Sequence, residues 1–361
     1  MSVRKAGVLV AGAGIAGLAV ARALPGRDVR VFEEAPEPRT SGGSVTLWPA
    51  GVAILRELGV DPAASGRRLT AMSSYGARGR KLFRIDLRRA ERAYGHPSVH
   101  VARSELIEQL TDGLRVEYGA AVSAVEPDRA RLRLADGRAV DGDVLVGADG
   151  RRSVVRDAVW GDDPARLSGW VTWQGYVEGA DGEEVTLIVG PEGLCGLAPA
   201  GRDRLLWWFD VRSAPGEPLW AGDPDPVGAI RERFAGYAGP VPGVLAALEE
   251  AEFFPHYRHA VPGVWGRGPT TLAGDAAHSM PPAMAQGANQ ALEDAWALAR
   301  SLEDLRSYER ARARVVRRPA RLAATELTGR LRLPAPDALV TGCYVRWLRY
   351  ASSYLAAARQ R

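Results

Sequence analysis

Cysteine and lysine are the scarce residues of this 361-residue chain: two cysteines, Cys195 and Cys343, and two lysines, Lys5 and Lys81. The cysteines stand far apart with no CxxC, which excludes a disulfide framework and a cysteine-built metal centre. No metal site is expected, and such sparing use of cysteine fits a reducing, cytoplasmic setting. With so few lysines, nearly all of the 47 basic residues are arginine, yet the net charge is only +4. Arginines alternate with acids, as in Glu303, Asp304, Arg306, Glu309 and Arg310. That is the pattern of a solvated helix face, so nucleic acid is not expected as a partner. Long apolar runs are lacking too. The stretch 7–24 behind Arg4 and Lys5 imitates a signal peptide, but Gly12, Gly14 and Gly17 break it. No other segment has the length to span a bilayer, so no membrane partner is expected. What remains is ordinary globular composition, 46% hydrophobic and 25% charged, in a chain long enough for about two domains.

The opening of the chain carries the first motif. Val8-Leu9-Val10 reads as a strand, Gly12-x-Gly14-x-x-Gly17 as a turn, residues 15–24 as a small-residue helix, and Val29–Phe32 as a second strand. Glycines at that spacing permit a tight turn, close approach of backbone to a pyrophosphate, and helix-on-strand packing. The helix N-terminus presents N–H groups and positive dipole to the phosphates. Glu33 lies 21 residues after Gly12, where an acid accepts hydrogen bonds from a ribose. The unit is therefore a dinucleotide-binding βαβ start with a parallel sheet, although it does not by itself separate NAD from FAD.

Further along, residues 36–50 read as a loop and 50–58 as a helix. Residues 69–87 read as two strands around Gly76–Gly79, and residues 103–110 as a helix capped by Ser104. Residues 116–140 read as strands about Asp136-Gly137, and 143–146 as a buried strand. Residues 166–257 change character: tryptophans concentrate there, and 185–189 and 204–211 read as antiparallel strands of a separate sheet. Residues 270–273 return to a buried strand. Beyond Ala288 the chain reads as helices, interrupted near Pro334–Pro336.

Three later motifs fix the family resemblance. Gly147-Ala148-Asp149-Gly150 followed by Ser153-Val154-Val155-Arg156 resembles the second fingerprint of the class A flavin monooxygenases, the para-hydroxybenzoate and salicylate hydroxylase type. Gly274-Asp275-Ala276-Ala277-His278 resembles their third, and Pro282 with Gln286-Gly287-Ala288-Asn289-Gln290 and Glu293-Asp294-Ala295 continues it in register. The motifs run in family order from Val8 to about Leu305, and the C-terminal helices carry little signal.

The resemblance implies an α/β fold: a Rossmann-type FAD-binding domain, an inserted, mainly antiparallel β substrate domain, and a helical C-terminus. It places the discontinuous FAD-binding domain at 1–69, 96–165 and 260–305, the substrate domain at 70–95 and 166–259, and the C-terminal helices at 306–361. Gly12, Gly14, Gly17 and Glu33 then match the adenosine-diphosphate site. Arg39 and Arg103 match arginines that approach the cofactor, and Asp149 a residue on the nicotinamide approach path. Asp275 matches the acid holding a ribityl hydroxyl. Pro282, Gly287, Ala288 and Asn289 match the loop and helix start against the flavin ring, where N–H groups suit the charge of a reduced flavin. His278 is read as bracing that loop. Two departures stand out: Ala285-Gln286-Gly287 where the family has Gly-Gln-Gly, and Pro49-Ala50-Gly51 where it has Pro-Asn-Gly.

The function implied is a monooxygenase. NAD(P)H reduces FAD, a flavin C4a-hydroperoxide forms with O2, and one oxygen atom enters an aromatic or polyketide-like small molecule. Hydroxylation is the default outcome, with epoxidation, Baeyer–Villiger insertion and oxidative decarboxylation open. Trp170, Trp173, Trp207 and Trp208 leave two readings open, pocket wall or sheet core. Tyr176, His256, Tyr257 and His259 are candidates for orienting or deprotonating a phenol. The competing functions are a flavin reductase or dehydrogenase that does not use O2 and a non-catalytic flavin-binding protein. Oligomeric state is not legible.

Overall fold

The computed structural model describes residues 7–38, 42–178, 182–201, 204–213, 225–327 and 332–358. Its first layer is a parallel five-stranded sheet. The strand order is Thr270–Leu272, Val144–Gly147, Gly7–Ala11, Asp28–Phe32 and Val116–Glu117. Val8, Val10 and Leu145 are wholly buried in it, as β-branched and aliphatic runs covered on both faces must be. The small-residue helix Ile15–Ala23 lies against Gly287–Arg300. Alanine and glycine on the first helix are what let the two axes come close.

A second, seven-stranded sheet stands apart. Its order is Glu252–Arg258, Arg166–Glu178, Arg204–Arg212, Gly193–Pro199, Glu184–Gly190, Ala71–Gly76 and Lys81–Asp86. All its pairings are antiparallel except Glu184–Gly190 with Ala71–Gly76. The two strands expected at 185–189 and 204–211 are not neighbours, because Gly193–Pro199 runs between them. One face is roofed by the helices Pro226–Phe234 and Val241–Ala247 over Trp173, Trp207 and Phe209. The other face carries Leu187, Val189 and Leu194, with Trp48 and Trp208 packed in the same cluster.

Three local expectations are corrected. The segment read as a loop at 36–50 contains the strand Ser44–Leu47, which pairs with Ser98–Ala102. The helix Arg103–Thr111 begins one residue before Ser104, so Ser104 is not its cap. Val116–Glu117 joins the parallel sheet, whereas Val122–Glu126, Arg131–Leu134 and Ala139–Asp141 form a separate small sheet. At the C-terminus, Leu305–Ala323 contacts Gly287–Arg300 and Thr270–Leu272, and Asp337–Tyr350 packs on Lys81–Asp86.

Candidate active site

The three glycines of the first turn have different work. Gly12 has φ +97°, and a Cβ there would stand 2.5 Å from the Ala148 carbonyl oxygen. A Cβ on Gly17 would meet the Gly12 carbonyl oxygen at 1.9 Å. Both are therefore bound to glycine by packing of the turn against strand and helix. Gly14 meets nothing within 4 Å. It faces open space at the N-terminus of Ile15–Ala23, whose first N–H groups have no side-chain cap. A phosphate fits that arrangement: free donors, positive dipole and no side chain in the way. Glu33 accepts from Ala13 N at 2.7 Å and Ala35 N at 3.0 Å, which holds the turn against the second strand. A carboxylate has about four lone-pair sites, so it can accept from several donors at once.

Arg39 lies outside the described residues. Arg103 is exposed, donates its backbone N–H to Gly43 O at 3.1 Å, and runs beside Gly42. Asp149 accepts from Ser153 Oγ at 2.5 Å and Val155 N at 3.2 Å, so it ties its own turn to the start of Val154–Trp160. Burial raises its carboxyl above the usual range, against the opposing pull of those hydrogen bonds. Arg156, unassigned in the sequence, is nearly fully buried and donates to the carbonyls of Ala276 and Ala277 at 2.9 and 3.1 Å. It fastens the second motif to the third.

Asp275 opens a single helical turn, is exposed, and points its Oδ1 toward Gly287, 4.0 Å from where a Cβ would sit. His278 is wholly buried, with Nε2 2.6 Å from Asp294 Oδ2, which also accepts from Gly274 N at 2.8 Å. The histidine thus braces the loop. Pro282 begins a short 3₁₀ turn that ends at Ala285, φ +48° and ψ 43°. The left-handed backbone explains why glycine suits that position, and Ala285 holds it at a steric cost. Gly287 and Ala288 open the helix Gly287–Arg300.

Asn289, two residues in, spends its amide on protein. It donates to Thr46 O and Ala285 O at 2.9 and 2.8 Å and accepts from Trp48 N at 2.9 Å. It joins the flavin-loop candidate to the Ser44–Leu47 strand. Gly51 is required beside it, because a Cβ would approach Asn289 Oδ1 to 2.5 Å. Ala50 sits buried in the first turn of Pro49–Glu57 without strain.

Strand alternation separates the tryptophans. Trp173 and Trp207 lie in the core under the two roof helices, which corrects the pocket reading for these two. Trp208, one residue on, packs on the opposite face with the Trp48 cluster, and Trp170 shares the parity of that face. Tyr176 bonds Ser44 Oγ through its hydroxyl at 2.9 Å, beneath the Arg204 guanidinium. Arg151 lies over the ring of Tyr257 at 3.9 Å. His259 is buried and pushed down to about 4 by burial, so it is neutral near pH 7. His256 is wholly buried between Thr172 and Glu326.

Sequence reasoning missed several residues. Trp48 donates its indole N–H to Met284 O at 3.3 Å and meets Tyr344 edge-on at 5.6 Å. Tyr344 and Leu348 come from Asp337–Tyr350, where the sequence offered no motif. Behind the loop, Arg312 is buried and pairs with Asp294 at 2.7 Å and Glu293 at 2.9 Å. Among the described residues no group of His, Cys, Asp or Glu could hold a metal ion, and no helix is long and apolar enough to cross a membrane.

Comparisons with known proteins agree with this geometry. The FAD binding domain family profile matches residues 5–202 and 230–319. Over 345 residues the chain is 36% identical to 3-amino-4-hydroxybenzoate 2-monooxygenase of Streptomyces cremeus, covering 88% of this chain and 86% of that protein. It is 33% identical over 309 residues to the aurachin C monooxygenase/isomerase of Stigmatella aurantiaca, covering 82% and 80%. The crystal structure of Klebsiella pneumoniae HpxO complexed with FAD and uric acid superposes with a TM-score of 0.83 at 28% identity, covering 96% and 93%. The chain belongs to the class A flavin monooxygenases, FAD-dependent enzymes of the aromatic hydroxylase type.

Proposed function

We propose that this enzyme consumes NADH or NADPH and O2 to insert one oxygen atom into a small aromatic or polyketide-like ring, by hydroxylation. The observation that carries the reading is a juxtaposition. The Trp48–Asn289 bridge holds a glycine-opened helix start beside a sheet face lined by Leu187, Leu194 and Trp208. Bound FAD would supply the redox chemistry, taking hydride and transferring oxygen, in a cradle of Gly14, Glu33, Asp275, Gly287 and Ala288, with Gly12 and Gly17 packing the turn that presents Gly14.

The chain's own residues bind, orient and keep the site dry. The N–H groups opening Gly287–Arg300 suit negative charge on the ring edge they face. Asn289 and His278 keep that helix start and its loop in place. Residues 70–95 and 166–259 are the substrate-side unit in this reading, and the cytoplasmic placement rests on the sparing use of cysteine.

The test is the visible spectrum of the purified protein before and after anaerobic NADH or NADPH, then O2 uptake with a panel of phenols. An oxidised-flavin spectrum, bleaching accelerated by a phenol and stoichiometric oxygen uptake are expected. Electron transfer without oxygen uptake would turn the reading to a reductase, and flavin that neither nucleotide reduces to a non-catalytic binder. A protein that takes up no FAD overturns it.

A further inference from the structure

The second sheet carries a buried polar chain on the face turned toward Trp48 and the Ala285 loop. Alternation along Arg204–Arg212 sends Trp207, Phe209 and Val211 to the roof helices and leaves Trp208 and Asp210 on the other face. Asp210 sits in register between Thr172 on one neighbouring strand and Leu194 on the other. Leu194 belongs to the same apolar cluster as Trp48, with Ala285 packed against it.

The Thr172 hydroxyl donates to Asp210 Oδ1 at 2.5 Å and lies 2.6 Å from His256 Nε2. His256 Nδ1 is 2.9 Å from Glu326 Oε1, which also accepts from Ser168 Oγ at 3.3 Å. His256 is wholly buried, and 12% of the Asp210 side chain remains open. Glu326 has φ +50°, a left-handed conformation that a side-chain-bearing residue holds only when its surroundings impose it. A strained backbone thus aims a buried carboxylate at a buried imidazole, and the chain ends at Asp210, which is more open than Thr172, His256 or Glu326.

We propose that Asp210 accepts the ionisable O–H or N–H proton of an uncharged aromatic substrate, with Thr172, His256 and Glu326 as the positioning residues that hold and tune it. This rests on the monooxygenase reading and names the substrate class of that site. In the step, the substrate O–H or N–H bond breaks and an Asp210 O–H bond forms. The electron pair stays on the ring heteroatom, which enriches the ring for attack by an electrophilic oxygen, and no electron changes hands. Thr172 holds Asp210 from behind while accepting from His256 Nε2–H, and the imidazole shares a proton with Glu326 through Nδ1.

The groups facing Asp210 are Thr172, the Trp208 indole, His256 and, beyond it, Glu326; the Cys195 thiol lies across the sheet. Among the described residues, His256 is the only basic side chain within ion-pair distance of Asp210. A ring bearing its own carboxylate would therefore set two like charges together in a wall of Leu187, Leu194 and Trp208, where water cannot screen them. Burial, only partly offset by His256, lifts Asp210 to about 6, a useful basicity for a phenol at neutral pH.

The test uses FAD-loaded protein in two arms. In the first, infrared difference spectra follow protonated carboxyl bands across the range from about pH 4 to pH 8. The wild type is expected to show a band titrating near 6 that Asp210→Asn removes. His256→Gln and Thr172→Val are expected to move its midpoint by about half a unit or more, which a merely structural role would not do. In the second arm, dissociation constants are read from the flavin absorbance shift for 2-aminophenol, 1-naphthol and 3-amino-4-hydroxybenzoate. The neutral rings are expected to bind about tenfold or more tightly than the benzoate, and Asp210→Asn to narrow that gap to about threefold. Absence of a band that Asp210→Asn removes, equal binding of benzoate and neutral rings, or binding of no neutral ring overturns the proposal. Loss of FAD reduction by either nucleotide would sink the monooxygenase reading instead, while the infrared arm would still report on Asp210.

Discussion

Ala285 shows how one side chain registers the demands of the proposed cofactor loop. Its φ of +48° places an L-residue in a region that costs roughly 1–2 kcal/mol without glycine. Ala285→Gly should therefore stabilise the protein by about 0.5–1 kcal/mol, part of the relief being offset by the freer unfolded chain. A rise in the urea midpoint with unchanged slope checks this. Gly14 is the converse. Nothing stands within 4 Å of its missing Cβ, so Gly14→Val should fold normally. Its isopropyl group would fill the space beside the helix N-terminus, so the expected result is a colourless protein of near wild-type stability. Retention of stoichiometric FAD, read from the visible spectrum, would move the pyrophosphate elsewhere. By contrast Gly12 and Gly17 are packing glycines, and a sequence cannot distinguish the three.

Among the elements, the first helix and the strands around it were legible because local pattern and tertiary environment agree. A valine-rich run, a glycine turn and a small-residue helix each allow one structure. The strand Ser44–Leu47 was not legible, since Pro, Gly and Ser crowd its flanks and only pairing with Ser98–Ala102 makes it a strand. That pairing brings in His100, buried, with Nδ1 2.9 Å from Thr46 Oγ and pushed down to about 4 by burial. A histidine depressed in the folded state contributes stability that is present above its unfolded value near 6.5 and is lost as pH falls toward 4. The loss from His100 is up to about 3 kcal/mol. Asp210 acts with the opposite sign, its raised value favouring the fold at low pH and losing that contribution as pH rises through about 6. His100→Gln should flatten the acid limb of a urea-midpoint profile between about pH 4 and pH 6.5 while leaving FAD binding intact. An unchanged acid limb would assign that slope to His259 or the carboxylates. The tryptophans make the same point about legibility. Adjacent Trp207 and Trp208 are alike in sequence, and only strand parity sends one to the core and one to the face that carries Trp48 and Leu194.

Across the whole molecule, the C-terminal helices hold the proposed cofactor loop from behind through Arg312. This guanidinium reaches Asp294, Glu293, the Gln290 side chain and Ser353 Oγ, all at 2.7–2.9 Å, and its side chain is 1% exposed. Burial alone would raise Asp294, but His278 and Arg312 outweigh it and hold that carboxyl below its usual range. Glu293 is raised by burial in spite of the same arginine. The sequence supplied Glu293-Asp294-Ala295 as a family motif, yet gave no sign that its partner lay in the helix Leu305–Ala323, because a buried arginine there looks like its exposed neighbours in an arginine-rich run. The pairing makes the loop at Gly274, the helix Gly287–Arg300 and the turn at Ser353 one cooperative unit. Arg312→Met keeps much of the side-chain volume but strands two buried carboxylates, a change that typically costs about 3–5 kcal/mol. Since Asp294 also holds Gly274 N and His278, the damage should extend to the cofactor loop. The expected result is a lower urea midpoint together with faster release of FAD. Arg312→Lys should recover part of the stability, because one charge is restored without the fork that reaches four partners. A variant that loses stability yet releases FAD at the wild-type rate would show that the helical C-terminus supports the fold without gripping the loop.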